Sequence, residues 1–409
     1  MLKKTFAVFG LLCILASCQN DESSSPQPQP RKDIALTRTE QEMLDKGNDF
    51  AFRFFSQVCK TEEKPNLFVS PLSVTLCLSM VTNGAAGNTL EEMKTTLGFS
   101  DYSLDKMNDY NKKLVTALLD LDNTTRLGIA NSIWIRQGFG VYDDFVNVNK
   151  RMYDAQVREL DFASPAAIAT INNWCAEKTN NCITEVLTEI PDAACLYLLN
   201  ALYFKGNWTK RFSKSDTASE QFTNGDGSKS AVQMMNMNEG HFNYGENEYF
   251  SIAEFPYGNE AFSMVVLLPA EGKSLEECLP QLTKEHWLEW SKYLSGATLN
   301  VKFPRFELKY DKKLKTVMMA MGMKDAFDRV TADFSKMSAA HLFVGLLEQY
   351  TYVKVDEEGT EAAAVTVTGM LTTSIGTSVK SFHINRPFVF LIKEKSTGTI
   401  LFMGKVTAL

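Results

Sequence analysis

The sequence predicts a single large α+β domain that follows an N-terminal leader and a short polar segment. Helical patterns dominate the first part of the chain and apolar strand patterns the last part, and neither an internal repeat nor a linker interrupts residues 36–409. Hydrophobic residues make up 44% of the 409 and charged residues 22%, which is enough apolar material to bury a core. A wholly disordered chain is therefore excluded.

The N-terminus has the pattern of an export signal. Lys3 and Lys4 precede a mostly apolar run, residues 5–16, that is too short to cross a bilayer as a stable helix. The Leu-Ala-Ser-Cys sequence that ends at Cys18 resembles the lipobox of bacterial lipoproteins. This resemblance implies that residues 1–17 are removed and that Cys18 carries a lipid. The alternative is an ordinary cleaved signal in which Cys18 has no role.

Residues 18–36 are predicted to form a flexible tether. Up to residue 33 they hold almost no apolar side chain and are rich in Ser, Gln and Pro, so they cannot offset the entropy lost on ordering. The folded domain is then expected to span residues 37–409. A lipid on Cys18 would anchor this domain to a bacterial outer membrane, outside the cytoplasm, facing either the periplasm or the cell surface.

Composition and motifs argue against most enzyme and nucleic-acid functions. The 42 basic and 49 acidic residues leave a formal charge of −7, whereas nucleic-acid binders usually carry a basic excess. The histidines and cysteines show no metal-binding spacing, and we expect neither a metal nor a cofactor. Neither a Gly-x-Ser-x-Gly nor a His-Glu-x-x-His motif occurs. A disulfide between Cys175 and Cys182 is left open by their spacing.

The secondary-structure elements follow from spacing, caps and turn residues. Helical spacing begins at Thr39 as a cap, and a second helix, apolar on nearly all sides, begins at Ser70 with Pro71 in its first turn. Further helices are predicted over 90–97, 102–123, 142–155, 168–187 and 275–294. Strands are predicted over 128–136, 156–160, 196–204, several runs between 222 and 268, 298–306, 353–356, and a hairpin of 382–393 and 399–406.

Residues 355–376 combine the features of an exposed loop with those of a strand. Glu361 is the only charge between Gly359 and Lys380, and small and β-branched residues dominate. Alternate residues of a strand share a face, so one face would be entirely uncharged: Thr360, Ala362, Ala364, Thr366, Thr368 and Met370. Glu361 falls on the other face. Such a segment suits both an exposed loop and a central strand of a sheet.

Five motifs occur in the order of one known family. They are Asn-Leu-Phe-Val-Ser-Pro-Leu-Ser at 66–73, Gly-Ala-Ala-Gly-Asn-Thr at 84–89, Asn-Ala-Leu-Tyr-Phe-Lys-Gly-Asn-Trp at 200–208, Glu-Glu-Gly-Thr-Glu-Ala-Ala-Ala at 357–364 and Phe-His-Ile-Asn-Arg-Pro-Phe-Val-Phe at 382–390. The sequence thus resembles the serpins over nearly all of residues 37–409. The resemblance implies three β-sheets, about nine helices and an exposed reactive-centre loop.

The resemblance also implies a protease inhibitor rather than an enzyme. A serine protease, or a cysteine protease, would cleave the loop as a substrate, and the part after Gly359 would insert into the large sheet while the protease is still acylated. We expect a monomer and an elastase-like or broad-specificity target. The alternative is a non-inhibitory serpin that acts as a binding or carrier module. The hinge argues against it, because neither proline nor a bulky residue occurs among Glu357, Gly359, Thr360, Glu361, Ala362, Ala363 and Ala364.

Counting from Gly359 as in the family places the scissile bond at Thr373–Ser374. The stretch that follows is longer than usual, so alternative positions remain open: Met370, Leu371 and Thr372. Thr373 suits an elastase-like protease, whereas Met370 or Leu371 would suit a chymotrypsin-like or subtilisin-like one.

Four residues match the shutter, the polar cluster beneath the sheet that controls insertion in the family. They are Ser70, Ser73, Asn200 and Gln349, the last in place of the usual histidine, which leaves its hydrogen bonding open. The structural alternative for Ser70 and Asn200 is helix capping and buried polar pairing.

Three more residues match the breach, where the loop meets the sheet. Arg305 and Glu357 are expected to form a surface ion pair that contributes under about 1 kcal/mol. Trp208 is expected there as well, with simple core packing as its structural alternative.

Overall fold

A computed structural model of the protein describes residues 29–191, 194–360 and 379–409. Within these ranges helices and strands are mixed along the chain. The predicted α+β class is confirmed.

Nine α-helices lie in the described part of the chain. They are α1 (Arg38–Thr61), α2 (Pro71–Thr82), α3 (Gly87–Leu97), α4 (Leu104–Leu119), α5 (Asp143–Tyr153), α6 (Pro165–Lys178), α7 (Leu275–Cys278), α8 (Lys284–Lys292) and α9 (Lys315–Ala320), and short 3-10 helices cover Lys214–Asp216, Leu279–Gln281 and Asp325–Phe327.

Caps set where the helices begin and end. α1 begins earlier than predicted because Thr37, not Thr39, caps it: the Thr37 hydroxyl accepts from the Glu40 N–H, and the Glu40 carboxylate accepts from the Thr37 N–H at 2.7 Å. α2 has the predicted Ser70 cap and is buried along its whole length. The helix predicted over 168–187 is shorter, because α6 already ends at Lys178.

Fifteen strands complete the described residues. They are β1 (Leu67–Val69), β2 (Arg126–Arg136), β3 (Gln156–Leu160), β4 (Leu196–Asn207), β5 (Ala218–Thr223), β6 (Lys229–Glu246), β7 (Phe250–Tyr257), β8 (Phe262–Pro269), β9 (Ser295–Pro304), β10 (Phe306–Lys313), β11 (Glu348–Asp356), β12 (Gly359–Thr360), β13 (Lys380–His383), β14 (Phe388–Glu394) and β15 (Ile400–Val406).

The described strands form two hydrogen-bonded sheets. The larger runs β1-β15-β14-β8-β7-β6-β9-β13, with β5 on β6, and the smaller runs β10-β11-β12-β4-β2-β3. The resemblance implied three sheets. The count differs because β6 pairs with β5 along its first part and with β7 along its last part, while β9 pairs with both parts of β6. One continuous ladder therefore joins strands that would otherwise count as two sheets.

The six-stranded sheet lies between two layers of helices. On one face α2 packs against β4. On the other face α6 packs through Trp174, whose ring lies 6.0 Å from that of Trp134 in β2, in a cluster that includes Tyr197 of β4. Burial on both faces explains why β4 reads as a nearly continuous apolar run rather than an alternating one.

The segment before α1 makes more contacts than a free tether would. Ile34 and Leu36 pack against the main core, and the Ile34 N–H donates to the Ser396 hydroxyl at 3.0 Å. The sequence predicts a flexible tether over residues 18–36. Its last residues instead contact the folded domain, because the side chains of Ile34 and Leu36 are apolar. Cys18 and the rest of the leader lie outside the described residues.

Three further features bear on function. Cys175 and Cys182 are not joined to each other, so the disulfide that their spacing left open is absent. Among the described residues there is no cluster of His, Cys, Asp or Glu that could hold a metal ion. None of the helices found in those residues is both long and apolar enough to span a membrane.

Candidate functional site

Two hinge residues already lie inside the six-stranded sheet, as the short strand β12. Gly359 pairs with Asn207 of β4 and with Asp356 of β11, and Thr360 pairs with Gly206 of β4. Gly359 has φ of +150°, and a Cβ there would come within 2.0 Å of the Gly206 carbonyl oxygen. A glycine is therefore required where the chain turns in between β11 and β4. We call this end of the sheet the breach.

Thr360 is fixed in the breach by an aromatic stack. It is 2% exposed, and its hydroxyl lies 2.7 Å from that of Tyr257, with which it shares a hydrogen bond. The Tyr257 ring stacks on Trp208 at 4.5 Å, and Trp208 Nε1 donates to the Asp356 carbonyl at 2.9 Å. Trp208 thus packs in the core and also holds the end of β11.

Glu357 is buried, which corrects the expected surface ion pair. Its side chain is only 2% exposed, and Arg305 Nε donates to both carboxylate oxygens at 2.8 Å. The Thr217 hydroxyl donates to the same carboxylate. Burial opposes the charge, but the hydrogen bonds from Arg305 and Thr217 outweigh it and hold the Glu357 pKa below its ordinary value.

The turn between β11 and β12 is held from the β4 side as well. The Trp208 N–H donates to the Glu358 carbonyl at 2.8 Å, and the Phe212 N–H donates to the Glu357 carbonyl at 3.0 Å. Lys214 lies 2.5 Å from the Glu358 carboxylate on the outer surface. Backbone hydrogen bonds, ion pairs and aromatic packing therefore act together to hold the turn between β11 and β12 at the breach.

Gln349 of β11 ties its strand to the start of α2. Its Oε1 accepts from the Ser70 N–H at 2.9 Å, and its Nε2 donates to the Ser70 carbonyl at 2.8 Å. The Ser70 hydroxyl donates to the Leu401 carbonyl and accepts from the Ser73 N–H. The hydrogen bonding left open for Gln349 is thus a two-point contact with one buried residue.

A second chain of hydrogen bonds ties β4 to the same helix. The Ser73 hydroxyl donates to the Asn200 side-chain oxygen. The Asn200 amide donates to Asn131 of β2 at 2.6 Å, and the Asn131 amide donates to the Tyr153 carbonyl at 2.7 Å. The two strands that flank β12 are therefore both fastened to the first turn of α2, and they cannot separate without breaking these bonds.

Several predicted site residues lie outside the described residues: Glu361, Ala362, Ala363, Ala364, Met370, Leu371, Thr372, Thr373, Ser374 and Cys18. Sequence reasoning missed Thr217, Tyr257 and Asn131. Asn131 carried a usable signal, since it is a polar residue within an apolar strand. Thr217 and Tyr257 carried none, because only the fold brings them to the hinge.

The fold and the site define a protein whose six-stranded sheet already pairs with the first residues of the loop that follows β11. The family model described as serpin (serine protease inhibitor) matches residues 45–409. Leukocyte elastase inhibitor of Equus caballus is 32% identical over 383 residues, which cover 90% of this chain and 100% of that protein.

Solved structures show the same likeness. Tengpin, a thermophilic serpin in its native state, has a TM-score of 0.83 and 30% identity, covering 94% of this chain and 98% of its own. Human thyroxine-binding globulin complexed with thyroxine has a TM-score of 0.81 and 25% identity, covering 90% and 99%. The chain belongs to the serpin family, which is a family of protease inhibitors such as leukocyte elastase inhibitor, with non-inhibitory members such as thyroxine-binding globulin, and not of enzymes.

Proposed function

We propose that this serpin inhibits a protease as a suicide substrate. The protease cleaves the reactive loop, and the loop then enters the six-stranded sheet between β11 and β4 while the protease is still attached as an acyl-enzyme. The observation that carries the proposal is the position of Gly359 and Thr360, which already occupy the first places of that new strand.

The pairing of β12 sets the register of the strand that would follow. If the antiparallel pairing of β12 continues along both neighbouring strands, Ala362 would lie opposite Phe204 of β4 and Val353 of β11. Both of these side chains are buried. The face that holds Thr360 is thus the inward face. In the inserted strand this would be the uncharged face, and Glu361 would lie on the outward face.

The same register brings the loop to the shutter. Thr366 falls opposite Asn200 of β4 and Gln349 of β11 at one and the same rung. A small hydroxyl side chain fits there, because both neighbours are amides that bond to Ser73 and Ser70 before insertion. Insertion would exchange contacts with α2 for contacts with the loop.

The free energy of insertion is large. β4 offers about ten further positions, from Lys205 back to Leu196, and β11 offers about seven. With about fifteen new ladder hydrogen bonds at roughly 0.5–1.5 kcal/mol each, and added burial, the gain is on the order of 10–20 kcal/mol. A native state this far above the inserted state persists only behind a kinetic barrier.

An elastase-like or broad-specificity serine protease is the proposed target, with cleavage at Thr373–Ser374. Leukocyte elastase inhibitor among the relatives supports this choice by its name. A cysteine protease could be acylated in the same way. A binding or carrier role, for which thyroxine-binding globulin is the precedent, is less well supported because the hinge from Gly359 carries only small residues and one outward charge.

Two arginine variants test insertion with a matched control. Ala364→Arg puts a cation on the inward face, opposite Leu202 and Thr351, whereas Ala363→Arg puts the same cation on the outward face. We expect Ala364→Arg to be cleaved by the protease without forming a gel-stable complex, and Ala363→Arg to keep inhibiting. Sequencing the released C-terminal peptide locates the scissile bond. Equal inhibition by both variants would refute the proposal.

We also propose that Cys18 is lipidated and anchors the protein to a bacterial outer membrane. The support is the lipobox sequence and the polar tether that follows it. Mass spectrometry of the membrane fraction should find the lipid on a protein that begins at Cys18, and Cys18→Ala should shift the protein to the soluble fraction. Mature protein that begins elsewhere, with no lipid, contradicts this part.

A further inference from the structure

A buried carboxylate lies in the turn that joins α4 to β2. Asp122 is 6% exposed, although a charge that is taken out of water is costly unless hydrogen bonds compensate for it. The Thr124 N–H and hydroxyl donate to one of its oxygens at 2.8 and 2.7 Å, and the Thr125 hydroxyl donates to the other at 2.7 Å. Its own turn therefore holds the carboxylate in a fixed orientation.

The fourth donor to this carboxylate comes from a distant hairpin. The Asn259 N–H, in the turn between β7 and β8, donates to Asp122 at 3.2 Å across 137 positions of sequence. The Asn259 side chain donates to the Leu121 carbonyl at 2.8 Å. Gly258 has φ of +47°, and a Cβ there would lie 2.0 Å from the Asp122 carboxylate. Only a glycine lets the two turns come this close.

The same β7–β8 turn is bonded to the strand that receives the hinge. The Gly258 N–H donates to the Asn207 carbonyl at 2.8 Å, and the Thr209 hydroxyl donates to the Gly258 carbonyl at 3.0 Å. Asn207 in turn pairs with Gly359. The turn that Asp122 holds is thus fastened to the end of β4, at the position where β12 begins.

Tyr257, the last residue of β7, extends this connection to the hinge. Its ring packs so closely against β4 that a Cβ at Gly206 would lie 2.8 Å from it, and its hydroxyl lies 2.7 Å from that of Thr360. Because Tyr257 directly precedes Gly258, a shift of the turn would move the ring. Asp122 touches neither hinge residue, but it fixes the element that does.

We propose that Asp122 is a positioning residue for loop insertion: by fixing the β7–β8 turn it holds the Tyr257 hydroxyl against Thr360, and it thereby keeps the first rung of the new strand formed before cleavage. This inference rests on the inhibitory function proposed above, because a preformed rung serves insertion only if the loop enters the sheet. Asp122 then determines how fast the cut loop inserts, and not how fast the protease cuts it.

The effect on inhibition follows from a competition after cleavage. Insertion traps the acyl-enzyme, whereas water hydrolyses it and releases an active protease. The number of inhibitor molecules consumed for each protease trapped therefore rises when insertion slows. With the first rung in place insertion only extends a ladder, but without it the chain at the breach must first be ordered, at a cost in conformational entropy.

Asp122→Asn tests this role with almost no change in volume. An amide offers one acceptor oxygen where the carboxylate offers two, so either the Thr124 donors or those of Thr125 and Asn259 lose their partner. With pancreatic elastase as the probe, we expect several-fold more inhibitor to be consumed per trapped protease, at an unchanged rate of loop cleavage. Hydrogen exchange in the peptide 355–360, read by mass spectrometry, should be about tenfold faster.

The matched control is Glu92→Gln. Glu92 of α3 likewise accepts from the backbone of a distant turn, from the Lys324 N–H at 2.7 Å and the Asp325 N–H at 2.8 Å. That turn follows α9, beyond the end of β10 that lies away from the breach. Glu92→Gln should lower the thermal midpoint while leaving the inhibitor consumed and the exchange of 355–360 unchanged.

A double variant tests the route through Tyr257. Tyr257→Phe removes the hydroxyl that meets Thr360. If Asp122 acts through this ring, adding Asp122→Asn to Tyr257→Phe should raise the inhibitor consumed by clearly less than the product of the two single effects. Effects that multiply would refute the route and with it the proposed role.

The outcomes separate this inference from the function on which it rests. Thr125→Val removes one donor to Asp122 and should show the same changes to a smaller extent, which keeps the test open if Asp122→Asn does not fold. Wild-type stoichiometry and exchange in both variants, or equal changes in Glu92→Gln at a matched thermal midpoint, overturn this inference alone. A wild-type protein that forms no complex with any elastase-like, subtilisin-like or cysteine protease overturns the inhibitory function and this inference with it.

Discussion

Replacement of Gln349 by leucine should speed the spontaneous insertion of the loop. Gln349→Leu fills a similar volume but removes both hydrogen bonds to Ser70. The Ser70 carbonyl keeps the Val74 N–H, whereas the Ser70 N–H, which is fully buried, is left without a partner. An unpaired buried donor costs roughly 1–3 kcal/mol.

Under the proposed mechanism, the hydrogen bonds of Gln349 in the wild-type protein are already broken in the transition state for opening the sheet. The substitution therefore raises the free energy of the native state and leaves that of the transition state unchanged. A loss of about 2 kcal/mol then lowers the barrier by the same amount, which is a ~30-fold faster conversion. The rate is measured as loss of protease inhibition during incubation, with native gels to follow the inactive monomer.

The control for Gln349→Leu is Leu267→Ala in β8. Leu267 is fully buried, and its truncation costs about 2–5 kcal/mol in a sheet region that both states share. It should lower the thermal midpoint without speeding conversion. If Gln349→Leu converts no faster than Leu267→Ala at matched destabilisation, the shutter does not hold the barrier.

Further variants probe the ionic contacts. Arg305→Ala should lower the free energy of unfolding of the native state by about 1–2 kcal/mol, because it leaves the buried Glu357 carboxylate with the Thr217 hydroxyl as its side-chain partner. Lys214→Ala removes a more exposed ion pair and should change the midpoint of urea unfolding little. Glu254 is buried, and although burial opposes its charge, Lys393 at 2.9 Å lowers its pKa from 4.5 to about 2. A carboxyl group whose pKa is lowered by folding stabilises the folded protein at pH values above its ordinary pKa. About 3 kcal/mol of the free energy of unfolding should therefore be lost as the pH falls from about 4.5 to about 2. Urea unfolding across that range should show a flatter pH dependence in Glu254→Gln, and an unchanged slope would contradict the assignment.

Local signals in the sequence predicted much of the fold. Ser70 and Pro71 marked the start of α2, and the apolar run at 196–204 marked the strand β4, because caps and periodicity act over a few residues. The start of α1 was missed by two residues, since Thr37 and Thr39 are both good caps and only the reciprocal bond with Glu40 decides between them.

The site was less predictable because its contacts are distant in sequence. Arg305 and Glu357 were paired by family resemblance, but the burial of Glu357 depends on Thr217 and on the turn that follows β11. The partner of Gln349 was open for the same reason, as Ser70 lies far away along the chain. Periodicity reports which face of an element is buried, and it carries no information on which polar groups meet there.

Under the proposed mechanism, the arrangement of these contacts would explain how a metastable native state persists and still responds to one cut. Before cleavage the loop is fixed at both ends, by β12 at the breach and by β13 paired with β9. Opening the sheet breaks the Gln349 and Ser73 contacts at once, whereas the ladder bonds that compensate form one rung at a time from the breach. While the loop is intact, its far end limits how many rungs can form, so the early cost is not recovered. In the proposed mechanism, cleavage removes that limit and leaves the register unchanged, and the barrier would then fall because the first rung, at Thr360, is already in place.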